Sequence, residues 1–153
     1  MSYFHNKRVW VTGASSGIGR DVAIKLSKLG AELILTARSR DKLEEVKKEC
    51  GNAKTHIFEH DLSNLDTIDD LVSKVANQVG TIDILFNNAG ISAYSSANET
   101  NFAVYEQVMR LNFLSVVKLT KCILPQMISN KQGQIVTNTS LSLSLIHISE
   151  PTR

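Results

Sequence analysis

Hydrophobic residues along the chain alternate between short β-branched runs and longer stretches with helical periodicity. The first run, at 8–12, reads RVWVT and is followed by apolar residues at helical spacing, namely Ile18, Val22, Leu26 and Leu29. Gly30 then marks the end of this helix. A strand followed by an amphipathic helix, repeated along the chain, is typical of a parallel sheet covered by helices.

The same alternation continues to about residue 137. Further strands are predicted at 33–36, 55–58, 82–86 and 134–137, and helices at 41–50, 65–79 and about 101–129. The helix after the third strand has its apolar stripe at Leu65, Ile68, Val72, Val75 and Val79. The last helix has a potential break near Asn112. The pattern predicts strands 1 to 5 of a doubly wound α/β sheet, with no internal repeat.

A glycine-rich turn, TGASSGIG, follows the first predicted strand. In a doubly wound sheet this turn binds the phosphates of a dinucleotide. Gly13 and Gly17 would let the backbone turn and approach a phosphate, while Gly19 would let the helix pack on the strand. The alternative is an ordinary loop in which Ser15 and Ser16 cap the helix. The position after the first strand favours the dinucleotide site.

The end of the second predicted strand reads LTARSR and bears on the choice of cofactor. A carboxylate there would bind the ribose hydroxyls of NAD, whereas an Arg accommodates the additional phosphate of NADP. Ala37 stands where the acid would be, and Arg38 follows with a planar guanidinium suited to phosphate oxygens. The alternative is that Arg38 and Arg40 only solvate the start of a helix. The sequence favours NADP(H) over NAD(H).

Two motifs together resemble those of the short-chain dehydrogenase/reductase family. They are TGASSGIG and, directly after the fourth predicted strand, NNAG at 87–90. The resemblance covers about 8–142 and includes the segments RLNFLS and GQIVTNTS. The segments VWVTGASSGIG, LSKLGAEL and LTKCILPQM are most similar to the member 7 subfamily. The resemblance implies a Rossmann fold and an oxidoreductase that interconverts a carbonyl and a secondary alcohol.

The resemblance also implies a role for each matching residue. The pyrophosphate and ribose would be lined by Gly13, Ser15, Ser16, Gly17, Ile18 and Gly19. The adenine would contact Asp61 and Leu62, and the ribose and nicotinamide side would contact Asn88, Ala89 and Gly90. Asn112 and Ser140 would be catalytic. No metal site is implied.

The chemistry of three of these residues can be weighed separately from the resemblance. Asn88 could equally form a local turn through Asx hydrogen bonds. A buried amide at Asn112 needs a defined partner, because an unpaired one costs about 1 to 3 kcal/mol. Ser140 is selected by the resemblance alone, since Thr137, Thr139 and Ser142 are equally suitable hydroxyls at the end of a strand.

Proton transfer in this family is carried out by the Tyr and Lys of a YxxxK motif. The Tyr is expected near the position of Arg153, where none is present. The one YxxxK string, from Tyr3 to Lys7, precedes the first strand and is interpreted as coincidence. We therefore expect 1–142 to be an incomplete NAD(P)-binding domain, inactive by itself. The alternative is a non-catalytic dinucleotide-binding or interaction module, and a third hypothesis is a product without function.

The sequence departs from the family pattern at Leu143. The segment 143–153, LSLIHISEPTR, resembles the translation of a transposase adaptor used in preparing sequencing libraries. On this interpretation the segment is not native, and His147 and Ser149 have no function. The alternative is a native ending that extends the fifth strand with Leu143, Leu145, Ile146 and Ile148.

The composition of the chain argues against a nucleic-acid partner and against a membrane segment. The chain has 153 residues, 42% of them hydrophobic and 21% charged, which indicates one globular domain. Its net charge of +2 without a basic block makes nucleic acid an unexpected partner. No run approaches the roughly 18 consecutive apolar residues of a membrane helix, so the chain as written predicts a cytoplasmic protein without a membrane segment. Cys50 and Cys122 are predicted to be small buried thiols.

The resemblance has three further implications for partners. The substrate would be a small carbonyl or alcohol compound. The complete protein would be a homo-oligomer, because family members pair through the long helix that here contains 111–127. Some relatives also carry a membrane anchor, so a longer form of this protein could have one.

Overall fold

The computed structural model describes residues 2–93 and 98–139. Within these residues, the strands are β1 (Arg8–Thr12), β2 (Glu32–Ala37), β3 (Thr55–Glu59), β4 (Ile84–Asn87) and β5 (Gln134–Thr137). The helices are α1 (Gly17–Lys28), α2 (Arg40–Glu49), α3 (Ile68–Val79), α4 (Phe102–Met109) and α5 (Ser115–Ser129). The strands form one parallel sheet in the order β3, β2, β1, β4, β5. The predicted α/β, Rossmann-type doubly wound sheet is therefore confirmed.

Helices cover both faces of this sheet, which is why the central strands β1 and β2 are buried at every position but the first. On one face, β1 residues Val9 and Val11 share a core with the buried residues of α1 and α2. On the other face, Trp10 packs with α3 and α5. The indole N–H of Trp10 donates to Thr36 Oγ1 at 2.9 Å, so its one polar group is paired inside the core.

The strand order places the point of reversal between β1 and β4. The chain builds outward from β1 through β2 to β3, and then crosses to the opposite side of β1 to form β4. In such sheets the carboxyl ends of the two strands at the reversal form a crevice, because the following loops diverge to opposite faces. The turns after Thr12 and Asn87 flank this crevice.

Two predicted element starts differ from the observed ones by two residues or more. β4 begins at Ile84 rather than at residue 82, and the helix predicted at 65–79 begins with a 3₁₀ turn, Leu65–Thr67, before α3. The buried face of α3 also includes Leu71, which the predicted stripe omitted, while Leu65 and Val72 are half-buried against the same core.

The helical segment from Phe102 to Ser129 is continuous, with no break at Asn112. Instead, five residues, Arg110–Leu114, form a π-helical insertion between α4 and α5. The side chain of Ser115 donates to the carbonyl of Leu111 at 2.6 Å beside this insertion. The position that the sequence singled out is therefore irregular, although the chain remains helical through it.

This segment is also the one, among the described residues, that is long and apolar enough to cross a membrane. It has 28 residues. Its most apolar stretch of 18 residues has a mean hydropathy of 1.2, and 28% of that stretch is buried within the fold. Length and composition alone do not distinguish a membrane span from a helix that packs on a sheet. Here Leu119, Ile123 and Met127 lie in the core, and Lys118 forms a salt bridge with Asp69 of α3.

The two cysteines occupy different environments. Cys50, at the end of α2, is buried, as the sequence predicts. Cys122 on α5 is half-buried and donates to Asp69 Oδ1 at 3.2 Å, so the prediction of a buried thiol is wrong for it. Burial and the hydrogen bond to Asp69 both raise the pKa of the Cys122 thiol. Neither residue is paired in a disulfide.

Candidate functional site

A cleft of about 420 Å³ lies at the carboxyl ends of the central strands. This volume falls in the range of small-molecule sites, about 300 to 1,000 Å³. The cleft is lined by nine of the residues that the sequence assigned to cofactor binding: Gly13, Ser15, Ser16, Arg38, Asp61, Leu62, Asn88, Ala89 and Gly90. These residues follow four different strands, and the parallel sheet brings them to one edge.

Three residues of the predicted set do not line the cleft wall. Gly17 opens α1 at φ 51°, and a Cβ built on it would meet no atom of the described chain within 4 Å. Ile18 is 59% exposed. Gly19 is buried, and a Cβ on it would lie 2.3 Å from the carbonyl oxygen of Gly13. Gly19 therefore serves the packing of α1 against the turn, as the sequence indicates.

The glycine-rich turn has a left-handed residue at Gly13 and packs closely against the NNAG segment. Gly13 has a φ of 64°, and a side chain there would meet Ala89 Cα at 2.8 Å. Ser16 is the N-cap residue of α1, yet its side chain forms no capping hydrogen bond within the described chain. Ser16 therefore does not cap α1 through its side chain, as the alternative of an ordinary loop would require.

Thr12 joins the glycine-rich turn to the NNAG segment. Its Oγ1 accepts from the backbone N–H groups of Asn88 at 2.9 Å and Ala89 at 3.0 Å. The side-chain amide of Asn88 in turn donates to the carbonyls of Thr12 at 3.1 Å and Gly13 at 3.3 Å. Asn88 thus bridges two distant turns instead of forming a local Asx turn. Sequence reasoning missed Thr12, whose available signal was a hydroxyl at the strand end beside Gly13.

Asn138 extends these contacts to β5. Its backbone N–H donates to the carbonyl of Asn87 at 2.8 Å, and its side-chain amide donates to Asn88 Oδ1 at 2.9 Å. The end of β5 is therefore held beside the NNAG segment. The predicted catalytic residue Ser140 lies two positions further along the chain and is outside the described residues.

Asn112 lies in the π-helical insertion and binds the chain just after NNAG. Its Oδ1 accepts from the backbone N–H of Ile91 at 2.9 Å, and its Nδ2 donates to the carbonyl of the same residue at 2.8 Å. The expectation that this amide has a defined partner is confirmed. π-helical insertions occur often at functional sites, because they redirect side chains that a regular helix would place elsewhere.

Asp61 is held in an ionised form in the wall of the cleft. Its Oδ1 accepts from the backbone N–H of Ser63 at 2.9 Å and from the Ser63 hydroxyl at 2.7 Å. Burial raises the pKa of the Asp61 carboxyl, but the bonds from Ser63 and the charge of Arg38 outweigh burial and lower the pKa below its ordinary value. The cleft therefore has a fixed negative charge here at neutral pH.

His60 also lines the cleft, although the sequence did not single it out. Burial lowers the pKa of its imidazole, and the nearby Asp61 charge only partly offsets this effect. Its Nε2 is hydrogen-bonded with Thr67 Oγ1 at 3.1 Å. His60 is consequently a neutral, tethered group at neutral pH.

The comparisons with known proteins agree with this geometry. Residues 7–145 match the family model described as short chain dehydrogenase. "Dehydrogenase/reductase SDR family member 7" of Mus musculus is 46% identical over 140 residues, which are 88% of this chain and 41% of that protein. The protein of the same name from Homo sapiens is 46% identical over 139 residues, 87% of this chain and 41% of that protein. The chain thus spans about two fifths of the length of these curated relatives.

Solved structures share the same fold. A metagenomic short-chain oxidoreductase (SDR) in complex with NADP superposes with a TM-score of 0.87 at 33% identity, over 92% of this chain and 65% of that chain. L-Sorbose reductase from Gluconobacter frateurii, complexed with NADPH and L-sorbose, gives a TM-score of 0.85 at 28% identity, over 90% and 54% of the two chains. The site residues described above thus lie on a framework that known oxidoreductases share.

Proposed function

Because this chain belongs to the short-chain dehydrogenase/reductase family, we propose that it forms the cofactor-binding part of an NADP(H)-dependent enzyme that interconverts a carbonyl and a secondary alcohol. The observation that carries the proposed cofactor is the end of β2. Ala37 places no carboxylate there, and Arg38 follows it in the wall of the cleft. A guanidinium attracts a phosphate, whereas a carboxylate would repel it.

Each side of the cleft has its own proposed task. The turn containing Gly13, Ser15 and Ser16 binds the pyrophosphate through backbone N–H groups, with open space at Gly17 for its approach. Asp61 and Leu62 contact the adenine, while Asn88, Ala89 and Gly90 lie along the ribose and nicotinamide. NADP(H), when bound, supplies the hydride chemistry.

The proposed catalytic residues are Asn112 and Ser140. Asn112 fixes the backbone of Ile91, directly after the segment assigned to the nicotinamide side. Ser140 follows the end of β5, which Asn138 ties to Asn88. We propose that Ser140 hydrogen-bonds the substrate oxygen and that Asn112 organises proton transfer through water, as in the family to which the chain belongs.

The proposed cofactor preference is tested by exchanging the end of β2. In the full-length protein, Ala37→Asp combined with Arg38→Leu should shift the ratio of NADP+ to NAD+ affinities toward NAD+ by at least about tenfold. Isothermal titration with each cofactor gives this ratio. Arg40→Leu is the matched control, since Arg40 pairs with Glu44 and does not line the cleft. An unchanged ratio in the double variant would contradict the assignment of Arg38 to the phosphate.

The exposed face of the helical segment from Phe102 to Ser129 supports a proposal about assembly. Several large apolar side chains project from it: Phe102, Tyr105, Met109, Phe113, Leu114, Val117, Leu124 and Ile128. A face of this size is costly to leave in water. We propose that the complete protein is a homo-oligomer that buries this face.

The segment 143–153 is proposed to be an adaptor-derived tail joined to an incomplete domain at 1–142. Sequencing the native locus across the codon for Ser142 should reveal codons for a YxxxK motif, in frame, near the position that Arg153 occupies here. Such a motif would identify a complete reductase. Native codons for LIHISEPTR followed by a stop would instead favour the non-catalytic dinucleotide-binding module.

A further inference from the structure

The end of the cleft beside β2 contains a second cation that the sequence pattern did not single out. Arg38, Ser39 and Lys42 all line this end. Ser39 is the N-cap residue of α2, and its Oγ accepts from the backbone N–H of Lys42 at 3.5 Å. This hydrogen bond ties the first turn of α2 to the segment that follows β2, and Lys42 thereby lines the same cleft wall as Arg38.

The neighbouring Arg40 has a different role. Its guanidinium lies 3.6 Å from Glu44, one helical turn along α2, and it does not line the cleft. In contrast, neither Arg38 nor Lys42 forms a salt bridge anywhere in 2–93 or 98–139. Of the three cations at the start of α2, two therefore face the cleft with their charges uncompensated by a bonded carboxylate.

Asp61, a carboxylate in the same cleft wall, offsets the charge of these cations only in part, because it forms a salt bridge with neither of them in 2–93 or 98–139. Asp61 is held by both hydrogen bonds from Ser63, and Arg38 influences it only through space. A phosphate monoester carries a charge of about −1.5 to −2 at neutral pH, which a single guanidinium cannot balance. Two cations in one cleft wall match this charge, the guanidinium as a planar fork and the ammonium as a point charge.

We infer that Lys42 is a specificity-determining residue that, together with Arg38, binds the 2′-phosphate of NADP(H). This inference rests on the proposed function and adds to it a residue of this chain. Arg38 supplies the directional hydrogen bonds, and Lys42 supplies the second positive charge. Lys42 therefore discriminates between the phosphorylated and unphosphorylated ribose and contributes little to binding of the rest of the cofactor.

Two cofactor fragments separate these effects without any catalytic assay. 2′,5′-ADP carries the distinguishing phosphate, and 5′-AMP lacks it. In the full-length protein, Lys42→Gln should weaken 2′,5′-ADP binding by about fivefold or more, measured by isothermal titration calorimetry, and leave 5′-AMP affinity within about twofold. Lys42→Arg, which keeps the charge, should restore most of the lost affinity. Arg40→Gln is the matched control and should change neither affinity beyond about twofold.

The outcomes distinguish this inference from the proposal on which it rests. If the wild type prefers 2′,5′-ADP and Lys42→Gln keeps the same preference, Lys42 has no part in the site while the NADP(H) proposal stands. If the wild type binds both fragments equally, or neither, the NADP(H) proposal fails and the role of Lys42 fails with it. If Lys42→Gln weakens both fragments alike, Lys42 does not determine specificity.

Discussion

Gly19→Ala is expected to abolish measurable NADP+ binding and to lower the free energy of unfolding by about 3 kcal/mol. The added Cβ would lie 2.3 Å from the carbonyl oxygen of Gly13 and 2.5 Å from Asn88 Nδ2. Neither atom can move freely, because these two groups are hydrogen-bonded to each other at 3.3 Å. Ala is ordinarily more favourable than Gly within a helix by up to about 1 kcal/mol, so the loss would be entirely steric.

Gly51→Ala is the matched control for this variant. Gly51 has a φ of 64°, but a Cβ there would meet nothing within 4 Å among the described residues. Backbone strain alone should cost about 1 to 2 kcal/mol and leave cofactor binding unchanged. Urea unfolding and isothermal titration with NADP+, both on the full-length protein, measure the two effects. Equal stability and equal binding in the two variants would show that the turn around Gly19 is looser than its contacts indicate.

The parts of the fold that the sequence predicted are those in which local pattern and burial coincide. β1 and β5 have the bounds that their short apolar runs predicted, and β1, which is covered on both faces, is buried from Val9 to Thr12. The end of α3 at Gly80 was likewise readable, because Gly80 has a φ of 91° that few other residues adopt. Such features depend on neighbours in sequence, so a sequence pattern is sufficient to find them.

The missed features depend on contacts between distant residues. Thr12 bonds to groups 76 and 77 positions away, and no local pattern encodes that distance. The π-helical insertion around Asn112 preserves the apolar periodicity on both sides of it, so the sequence suggested only an interruption. Lys42 lies only four positions after Arg38, but the sequence did not show that Lys42 lines the cleft while Arg40 does not.

Asn112→Leu is expected to produce the other large effect. Leu has a similar volume but cannot pair with the backbone N–H and carbonyl of Ile91, which Asn112 binds at 2.9 Å and 2.8 Å. Leaving these two half-buried groups without partners should lower the free energy of unfolding by about 2 kcal/mol. The Ile91 amide should lose protection from hydrogen exchange. NADP+ binding should weaken by about tenfold, because Gly90 of the proposed nicotinamide side would no longer be held in place through its neighbour Ile91.

Two further variants decide whether this effect arises from the pairing itself. Asn52→Leu makes the same substitution at an exposed position, and we expect its stability to change by less than about 0.5 kcal/mol. Asn112→Asp keeps an acceptor for the Ile91 N–H and loses the donor to its carbonyl, so its stability and Ile91 protection should fall between those of the wild type and Asn112→Leu. If Asn112→Leu retains full protection at Ile91, the two hydrogen bonds from Asn112 do not hold the Ile91 backbone in place. The π-helical insertion must then serve the fold in another way.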